Sequence, residues 1–562
     1  MARCPNCQAL GSLTPRLAVN FTPILRPSED WRLLDCPDCA CLFYERNENR
    51  AAQYDGCEML SRGRTALYLQ QGAGLSQLLL PLARVTLPAG ARFLDIGCGF
   101  GFTLDFAREA KGWDGLGIDP GGIAALGRAR LGVPIEQREV AADEPALRGT
   151  CDVVLAAETI EHLPQPAAFL ALARGLLREG GILILTTPNA DLVTPGVPEG
   201  LLATILSPEL HIVLQSKASL AWALRQAGFA HAHVVCEGAS LVGYASDAPI
   251  MLADDADAMQ ETLDAYLERR ATAFVADRDL SLGFAGRALL DCANRPDPVR
   301  GARVRAGLEA SIQSRFGMNI ATMPRLPAEL GACSLERMAE LVPLNLGAIL
   351  YAGAMLDLQQ GAARGGLRAR LVLAAQACRA LRRATGELGM EDALSEDLEW
   401  VAGAEALLCS AEIGQAAVPK LLAALSTLAV RDGVARRRQI TARCFTTLVN
   451  AGHFRIAREI LPLLTCDDLS DTHQRDAMYC QGVCQLQPGG DAATALGCFI
   501  AVRGSLDPQH PDGLFWPALR GEVQALTRLG RAGEVAGLVR TVAATSETQL
   551  PADLALRARS AR

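Results

Sequence analysis

The sequence predicts an α/β core built on an open, mostly parallel sheet, with a small metal-held ribbon before it and an all-α region after it. Three observations carry this reading. Phe93 to Gly101 reads F-L-D-I-G-C-G-F-G, an apolar strand running into a glycine-rich turn and then a helix. Cys4-Pro-Asn-Cys7 and Cys36-Pro-Asp-Cys39 repeat one C-P-x-C pattern. Beyond about residue 250, Ala, Leu and Arg dominate and strand patterns disappear. At 562 residues the chain is too long for one core, so roughly two to four domains are expected.

Taken in order, residues 1–48 are the ribbon. Each C-P-x-C knuckle puts two thiolates on one tight turn, and two knuckles supply four soft ligands in a tetrahedron. Cys4, Cys7, Cys36 and Cys39 are therefore the expected zinc ligands, with a hairpin in the gap between them. A site closed by four thiolates has no open position, so this zinc is structural. Cys41 is read as a bystander. The ribbon holds five arginines against six acids, a poor balance for gripping phosphates. Residues 49–90 are a helical connector or lid. Thr65 to Val85 carries helix-spaced apolar residues broken by Gly72-Ala-Gly74 and Pro81, and Tyr54 and Tyr68 lie in this segment.

The core runs over 91–250. Arg92–Ile96 is short and apolar, as a buried parallel strand should be. Gly97, Gly99 and Gly101 follow, because a loop turning tightly beneath a ligand needs backbone freedom. The Phe102–Lys111 helix is stopped by Gly112. A dinucleotide fingerprint needs G-x-G-x-x-G; here the third glycine comes one residue early. Asp95 inside the motif would repel a pyrophosphate and attract a ligand carrying an amino group and a sulfonium. The second strand, Gly115–Asp119, ends in an acid suited to ribose hydroxyls. Further strands fit Ile135–Val140, Asp152–Ala157 and Ile182–Leu185. Helices fit Pro166–Leu177 and Ser216–Ala227, and Phe229–Glu237 with Leu241–Ala245 fit a closing antiparallel pair.

The loop D-I-G-C-G-F-G with Asp119 resembles the first motif and second-strand acid of class I S-adenosylmethionine-dependent methyltransferases. The order of elements over 91–250 is similar to that fold, and E-T-I-E-H-L-P-Q-P resembles the subgroup containing ubiquinone-type O-methyltransferases. The resemblance implies a Rossmann-like class I methyltransferase sheet that binds S-adenosyl-L-methionine. It places Asp95, Gly97, Cys98, Gly99, Gly101, Asp119 and Glu158 around the cofactor, with Asp143 a candidate near the adenine. His162, after the fourth strand, and His211, in the loop before the Ser216 helix, are the candidate general bases for a hydroxyl acceptor. His231, His233, His453, His473 and His510 show no clustered spacing and read as structural.

Residues 251–369 form a helical region. Residues 370–562 resemble tetratricopeptide-like helical repeats: Gly414, Gly452, Gly490 and Gly530 each precede a small alanine, at 417, 457, 495 and 536, and a leucine-rich helix. Stacked hairpins of this kind build a continuous surface suited to a protein partner. The expected activity is methyl transfer, with O-methylation of a glycan, sugar or other hydroxylated small molecule leading. A protein-binding scaffold carrying a non-catalytic methyltransferase fold and an RNA methyltransferase are the alternatives. A net charge of −8 argues against nucleic acid. No apolar signal core or run of about 18 apolar residues is present, and 18 cysteines fit a reducing, cytoplasmic setting.

Overall fold

The computed structural model describes residues 3–9, 14–19, 31–45, 61–141, 143–194, 197, 202, 205–207, 210–390, 392–428, 433–509, 513–546 and 550–559. Tyr54 and His510 lie outside these. The chain divides into two compact units: Met1–Leu356 with Ala377–Ser395, and Asp357–Gln376 with Glu396–Arg562.

The first unit opens with ribbon strands β1 (Thr14–Val19), β2 (Trp31–Asp35) and β3 (Leu42–Tyr44), then helices α1 (Arg62–Gly72) and α2 (Ser76–Ala83). The main sheet follows as β4 (Arg92–Ile96), α3 (Phe102–Lys111), β5 (Asp114–Ile118), α4 (Gly122–Leu131), β6 (Ile135–Glu136), β7 (Cys151–Ala157), α5 (Pro166–Leu176) and β8 (Leu177–Pro188). The chain then continues through β9 (Val213–Leu214), α6 (Lys217–Gln226), β10 (His231–Glu237) and β11 (Ser240–Ser246). Seven strands pair in the order β10-β11-β8-β7-β4-β5-β6. β4 to β8 are mutually parallel, and β11 runs antiparallel to both β8 and β10. This is the mixed seven-stranded sheet of the class I methyltransferase fold.

Period-two alternation sets the two cores. Phe93, Val153, Leu155 and Ile184 face one layer with α1 to α4. Leu94, Ile96, Val154, Leu183 and Leu185 face the other, against α5 and α6. Local signals fix the helix ends. Gly112, at φ 67°, closes α3, Pro166 opens α5, and Ser216 caps α6 in a reciprocal capping box with Ser219.

The helices after β11, namely α7 (Ala256–Ala273), α8 (Arg278–Asn294) and α9 (Pro298–Phe316), each begin with an aspartate cap. α7 and α8 join the first core layer: Leu263, Tyr266, Leu267 and Phe284 share it with Phe102 and Phe106. Buried Asp105 of α3 accepts from both Nε and Nη2 of Arg270 at 2.8 Å and from the Tyr266 hydroxyl at 2.9 Å. Gly283 of α8 crosses α1 so closely that a Cβ there would lie 2.3 Å from Leu69 O. The composition change near 250 is thus not the edge of a compact unit.

Among the described residues no single helix is long and apolar enough to cross a membrane; one bent pair, Leu335–Leu341 with Leu346–Gln359, passes by length and composition alone. Most side chains from Leu346 to Leu356 are buried. Among the described residues of the second unit the regular elements are all helices. Gly414, Gly452, Gly489 and Gly530 adopt positive φ, and each lies between two helices. The sequence reading placed Gly490 in that role; the residue before it takes the turn. Ala457, Ala495 and Ala536 are buried, whereas Ala417 is exposed and precedes its helix.

Candidate active site

The carboxyl ends of β4, β5 and β7 meet at the glycine loop. Gly97, Gly99 and Gly101 all hold positive φ, at 76°, 51° and 88°. Each is tightly surrounded or turned as only glycine tolerates. A Cβ on Gly97 would lie 2.6 Å from Thr159 Oγ1, and one on Gly127 of α4 would lie 2.0 Å from Phe100 O. The Gly97 amide donates to Ile118 O at 2.8 Å, tying the loop to β5.

Asp119 organises this loop. Its Oδ2 accepts from the Gly99 amide at 2.8 Å and its Oδ1 from the Gly121 amide at 2.7 Å. The carboxylate is half-buried and keeps lone pairs for a ligand's hydroxyls. Asp95 is turned into the protein, 1% exposed, where the Thr103 hydroxyl donates to it. Burial raises Asp95 to about 7, Thr103 opposes this, and the nearby Asp119 charge adds to it. Cys98 follows Gly97, and burial foremost, then the charges of Asp95 and Asp119, keep its thiol protonated. Tyr68 of α1 covers the loop, its ring 6.1 Å from Phe100 and 6.2 Å from Phe102. The hydroxyl takes a hydrogen bond from the Phe100 main chain, and burial with the Asp119 charge pushes it up to about 12. Asp143 is exposed and paired with Arg148 at 2.8 Å, so its carboxylate is engaged at the surface.

The fourth strand leads into the second half of the site. Glu158 sits at φ 49°, and its Oε1 accepts from the Thr186 hydroxyl at 2.9 Å. A single 3-10 turn, Ile160–His162, then brings Glu161 and His162 to the edge. His211 arrives from a loop some fifty residues later, its ring centroid 5.0 Å from that of His162. Both candidate histidines are therefore in one place. His162 Nδ1 lies 2.9 Å from Leu210 O, and His211 Nδ1 lies 2.8 Å from Ile205 O. A carbonyl only accepts, so in the neutral ring of His211 Nδ1 carries the hydrogen and Nε2 keeps a lone pair, whereas the His162 ring bonds the main chain of both Leu210 and Glu158. Burial lowers both rings, His211 to about 4 with His162 adding to the effect.

Glu161 completes the group, and the sequence reading gave it no role. It is wholly buried; its Oε2 accepts from the Thr187 hydroxyl at 3.0 Å. Its Oε1 has no hydrogen-bond partner and lies 3.8 Å from His162 Nε2. Burial, and then the Glu158 charge, raise it well above the ordinary carboxylate range. One donor atom from each of Glu161, His162 and His211 falls within 4.8 Å of the others. Two imidazoles and a carboxylate are a donor set that suits a divalent cation, and equally a base pair that accepts a hydroxyl proton.

In the ribbon, Cys4, Cys7, Cys36 and Cys39 converge in the same way. Cys4 and Cys39 sulfurs are 3.7 Å apart and Cys7 and Cys36 sulfurs 3.5 Å. Four bonds of about 2.3 Å to a tetrahedral zinc put sulfurs roughly 3.8 Å apart, so the set fits one. The knuckles match: Gln8 and Ala40, each following the second cysteine, sit at φ 62° and 59°. The Cys41 sulfur lies 3.5 Å from Cys4 and 3.4 Å from Cys39, closer to the cluster than its reading as a bystander implied.

A family model described as "Methyltransferase domain" matches residues 68–234, the stretch that contains the loop, Asp119 and both histidines. The ubiquinone biosynthesis O-methyltransferase of Pseudomonas aeruginosa strain UCBPP-PA14 is 36% identical over 109 residues, 18% of this chain and 47% of that protein. That of Paraburkholderia xenovorans strain LB400 is 38% identical over 108 residues, 18% of this chain and 46% of that protein. The chain spans about half the length of these curated relatives. Among solved structures, a SAM dependent methyltransferase from Aquifex aeolicus is 21% identical with a TM-score of 0.26, over 33% of this chain and 98% of that one. Geranyl diphosphate C-methyltransferase from Streptomyces coelicolor A3(2) is 15% identical with a TM-score of 0.26, over 31% of this chain and 79% of that one. Residues 68–234 are a class I S-adenosylmethionine-dependent methyltransferase domain.

Proposed function

We propose that this chain transfers the methyl group of S-adenosylmethionine to a hydroxyl of a small molecule or glycan. The observation that carries this is the Glu161–His162–His211 group at the same sheet edge as the glycine loop. Gly97, Cys98, Gly99 and Gly101 would admit the methionine moiety and ribose against the backbone. Asp119 would take the ribose hydroxyls, Asp95 the amino group, and Glu158 would line the methionine end. The sulfonium is already a strong electrophile, so the protein's work is to align the acceptor and exclude water. His211, through its Nε2, or His162 would take the acceptor's proton as its oxygen attacks. The ubiquinone-type O-methyltransferases among the relatives support an oxygen acceptor.

The unpartnered Oε1 of Glu161 favours a second form of this reading, in which the three side chains hold a divalent cation. When bound, such an ion lowers the acceptor hydroxyl's pKa and fixes its oxygen. The protein's own part is then to supply two neutral imidazoles, that of His211 held in its tautomer by Ile205 O, and one carboxylate. The ribbon thiols are proposed to hold a structural zinc, and the helical second unit to offer a surface for a protein partner.

Calorimetry with S-adenosylhomocysteine and with NAD tests the core of the proposal. Micromolar binding of the first and none of the second is the expected result; the reverse preference would sink it. Metabolite and glycan profiling of a deletion strain then identifies the acceptor. Activity on it that disappears with EDTA and returns with Mg²⁺ or Mn²⁺ would select the cation form, and activity indifferent to EDTA the base form.

A further inference from the structure

The segment that carries His211 is far from the ribbon in sequence and belongs to it in structure. β9 is the fourth strand of the ribbon sheet, in the order β1-β2-β3-β9. Phe43 pairs with Val213 and Leu42 with Leu214. The Tyr44 amide donates to Ile212 O at 3.4 Å, and the buried Tyr44 hydroxyl donates to Leu206 O at 2.9 Å. These two contacts bracket His211, whose Nδ1 reaches Ile205 O.

Packing repeats the pattern. Val213 is buried among Cys4, Cys36, Cys39, Cys41 and Phe43. Leu214 packs with Leu33, Leu42, Tyr44, Ile205 and Leu206. Asn6 spans the junction: its Nδ2 donates to Cys39 Sγ at 3.6 Å, and its Oδ1 accepts from Gln215 Nε2 at 3.5 Å. On the other side, the Ile212 amide donates to Glu161 O at 2.7 Å. The ribbon therefore presses the His211 segment onto the turn that carries Glu161 and His162.

We propose that the ribbon, held together by its metal, is a positioning device for the acceptor half of the site, with Phe43, Tyr44 and Val213 as positioning residues. Naming that half the acceptor side rests on the function proposed above; the mechanical coupling does not. The cofactor half has different supports. Its loop is tied by Ile118, Asp119 and Tyr68, all outside the ribbon. A ribbon this small has little core of its own and depends on its metal to stay folded. Withdrawing the metal should therefore loosen one half of the site and spare the other.

The test uses the full chain and reads hydrogen exchange, not turnover. Metal content is followed by native mass spectrometry, exchange at residues 93–119 and 210–216 by peptide mass spectrometry, and S-adenosylhomocysteine affinity by calorimetry. Chelation, or Cys36→Ser, should raise exchange across 210–216 by about tenfold or more, since local opening there no longer has to break the ribbon. Residues 93–119 and the affinity should change by less than about twofold. Adding zinc back should restore protection in the chelated wild type and not in Cys36→Ser. Tyr44→Phe keeps the thiols and removes one tie, so it should raise exchange at 210–216 about two- to fivefold with metal still bound. Unchanged exchange at 210–216 after metal loss would overturn the proposal. So would loss of protection at 93–119 together with the affinity, which would mean that the ribbon holds the whole sheet. Failure of the untreated chain to bind S-adenosylhomocysteine strikes the functional reading and leaves the exchange comparison decisive for the coupling.

Discussion

The two halves of the proposed site, one for the cofactor and one for the acceptor, are built in opposite ways. The cofactor half is nearly continuous in sequence: strand, glycine loop, helix and the next strand's acid all lie between Arg92 and Asp119. Its key polar group, Asp119, is fixed by two backbone amides. The acceptor half is assembled from three separated pieces: the Ile160–His162 turn, the His211 loop and the ribbon. Its key groups are held by burial and by backbone carbonyls, His162 reaching that of Leu210 across 48 residues of chain and His211 that of the nearby Ile205. A contiguous half suits a constant task, such as holding one cofactor. An assembled half lets the acceptor vary while the cofactor machinery stays the same.

The largest expected effect separates the halves outright. Glu161→Gln and His211→Ala should each lower turnover on the identified acceptor by about 10²–10⁴, with S-adenosylhomocysteine affinity unchanged within about twofold. Steady-state kinetics beside calorimetry reads both. If affinity falls as far as turnover, the halves are not separable. Asp119→Ala is the converse. On the proposed role it removes charge-assisted bonds to the ribose, and it frees the Gly99 and Gly121 amides, so binding should weaken by about 1.5–3 kcal/mol. Turnover at saturating cofactor should be much less affected. An unchanged affinity would mean that the ribose lies elsewhere.

How far each half could be read in advance follows from the same difference. The β4 strand and the α3 helix have the bounds expected from the pattern, because their signals are local: apolar run, glycines, then Gly112 as a left-handed stop. The third strand is shorter than the expected Ile135–Val140, ending at Glu136, and Arg138 beyond it folds back onto Glu136 and Glu144. The fifth is longer than the expected Ile182–Leu185: the helix before it ends at Leu176 and β8 begins at once at Leu177, taking in Gly180-Gly181. On the acceptor side, the two histidines were legible by type and not by proximity. Glu161 was not legible as a participant, although E-T-I-E-H displays it beside His162; its importance lies in complete burial with one oxygen unpaired, which no spacing encodes. The ribbon's link to the His211 loop was also hidden, because two-residue β9 pairs across some 170 residues of chain and has no pattern of its own.

A pH series sharpens the cofactor half further. Asp95 is held near 7 in the free protein, so below that pH it is mostly protonated. A ligand that brings an ammonium group needs the carboxylate, and its binding must release that proton. The sign follows: S-adenosylmethionine affinity should be flat above about pH 7.5 and fall as pH drops below 7, approaching tenfold per unit. Thr103→Val removes the hydroxyl that favours the charged form, so the inflection should move up. Affinity independent of pH between 5.5 and 8 would show that Asp95 does not meet the ligand's charge.

The smallest effect concerns the connector, where the cofactor half stops being self-sufficient. Tyr68 stands on α1, outside the β4-to-β5 stretch, and its hydroxyl is held by the Phe100 main chain inside the loop. Its ring also packs between Phe100 and Phe102, and α1 is itself pinned by Gln70, whose Oε1 accepts from the Leu344 amide at 2.7 Å. Tyr68→Phe keeps the packing and loses only the hydrogen bond, about 0.5–1.5 kcal/mol. S-adenosylhomocysteine affinity should therefore fall about two- to tenfold, with the loss mainly in the dissociation rate, since the lid no longer latches onto the loop. Tyr68→Ala also deletes the ring and should cost more. Stopped-flow displacement measures the rates directly. A Tyr68→Phe chain that releases its ligand at the wild-type rate would show that the glycine loop holds its shape without the connector, leaving the contiguous half complete between Arg92 and Asp119.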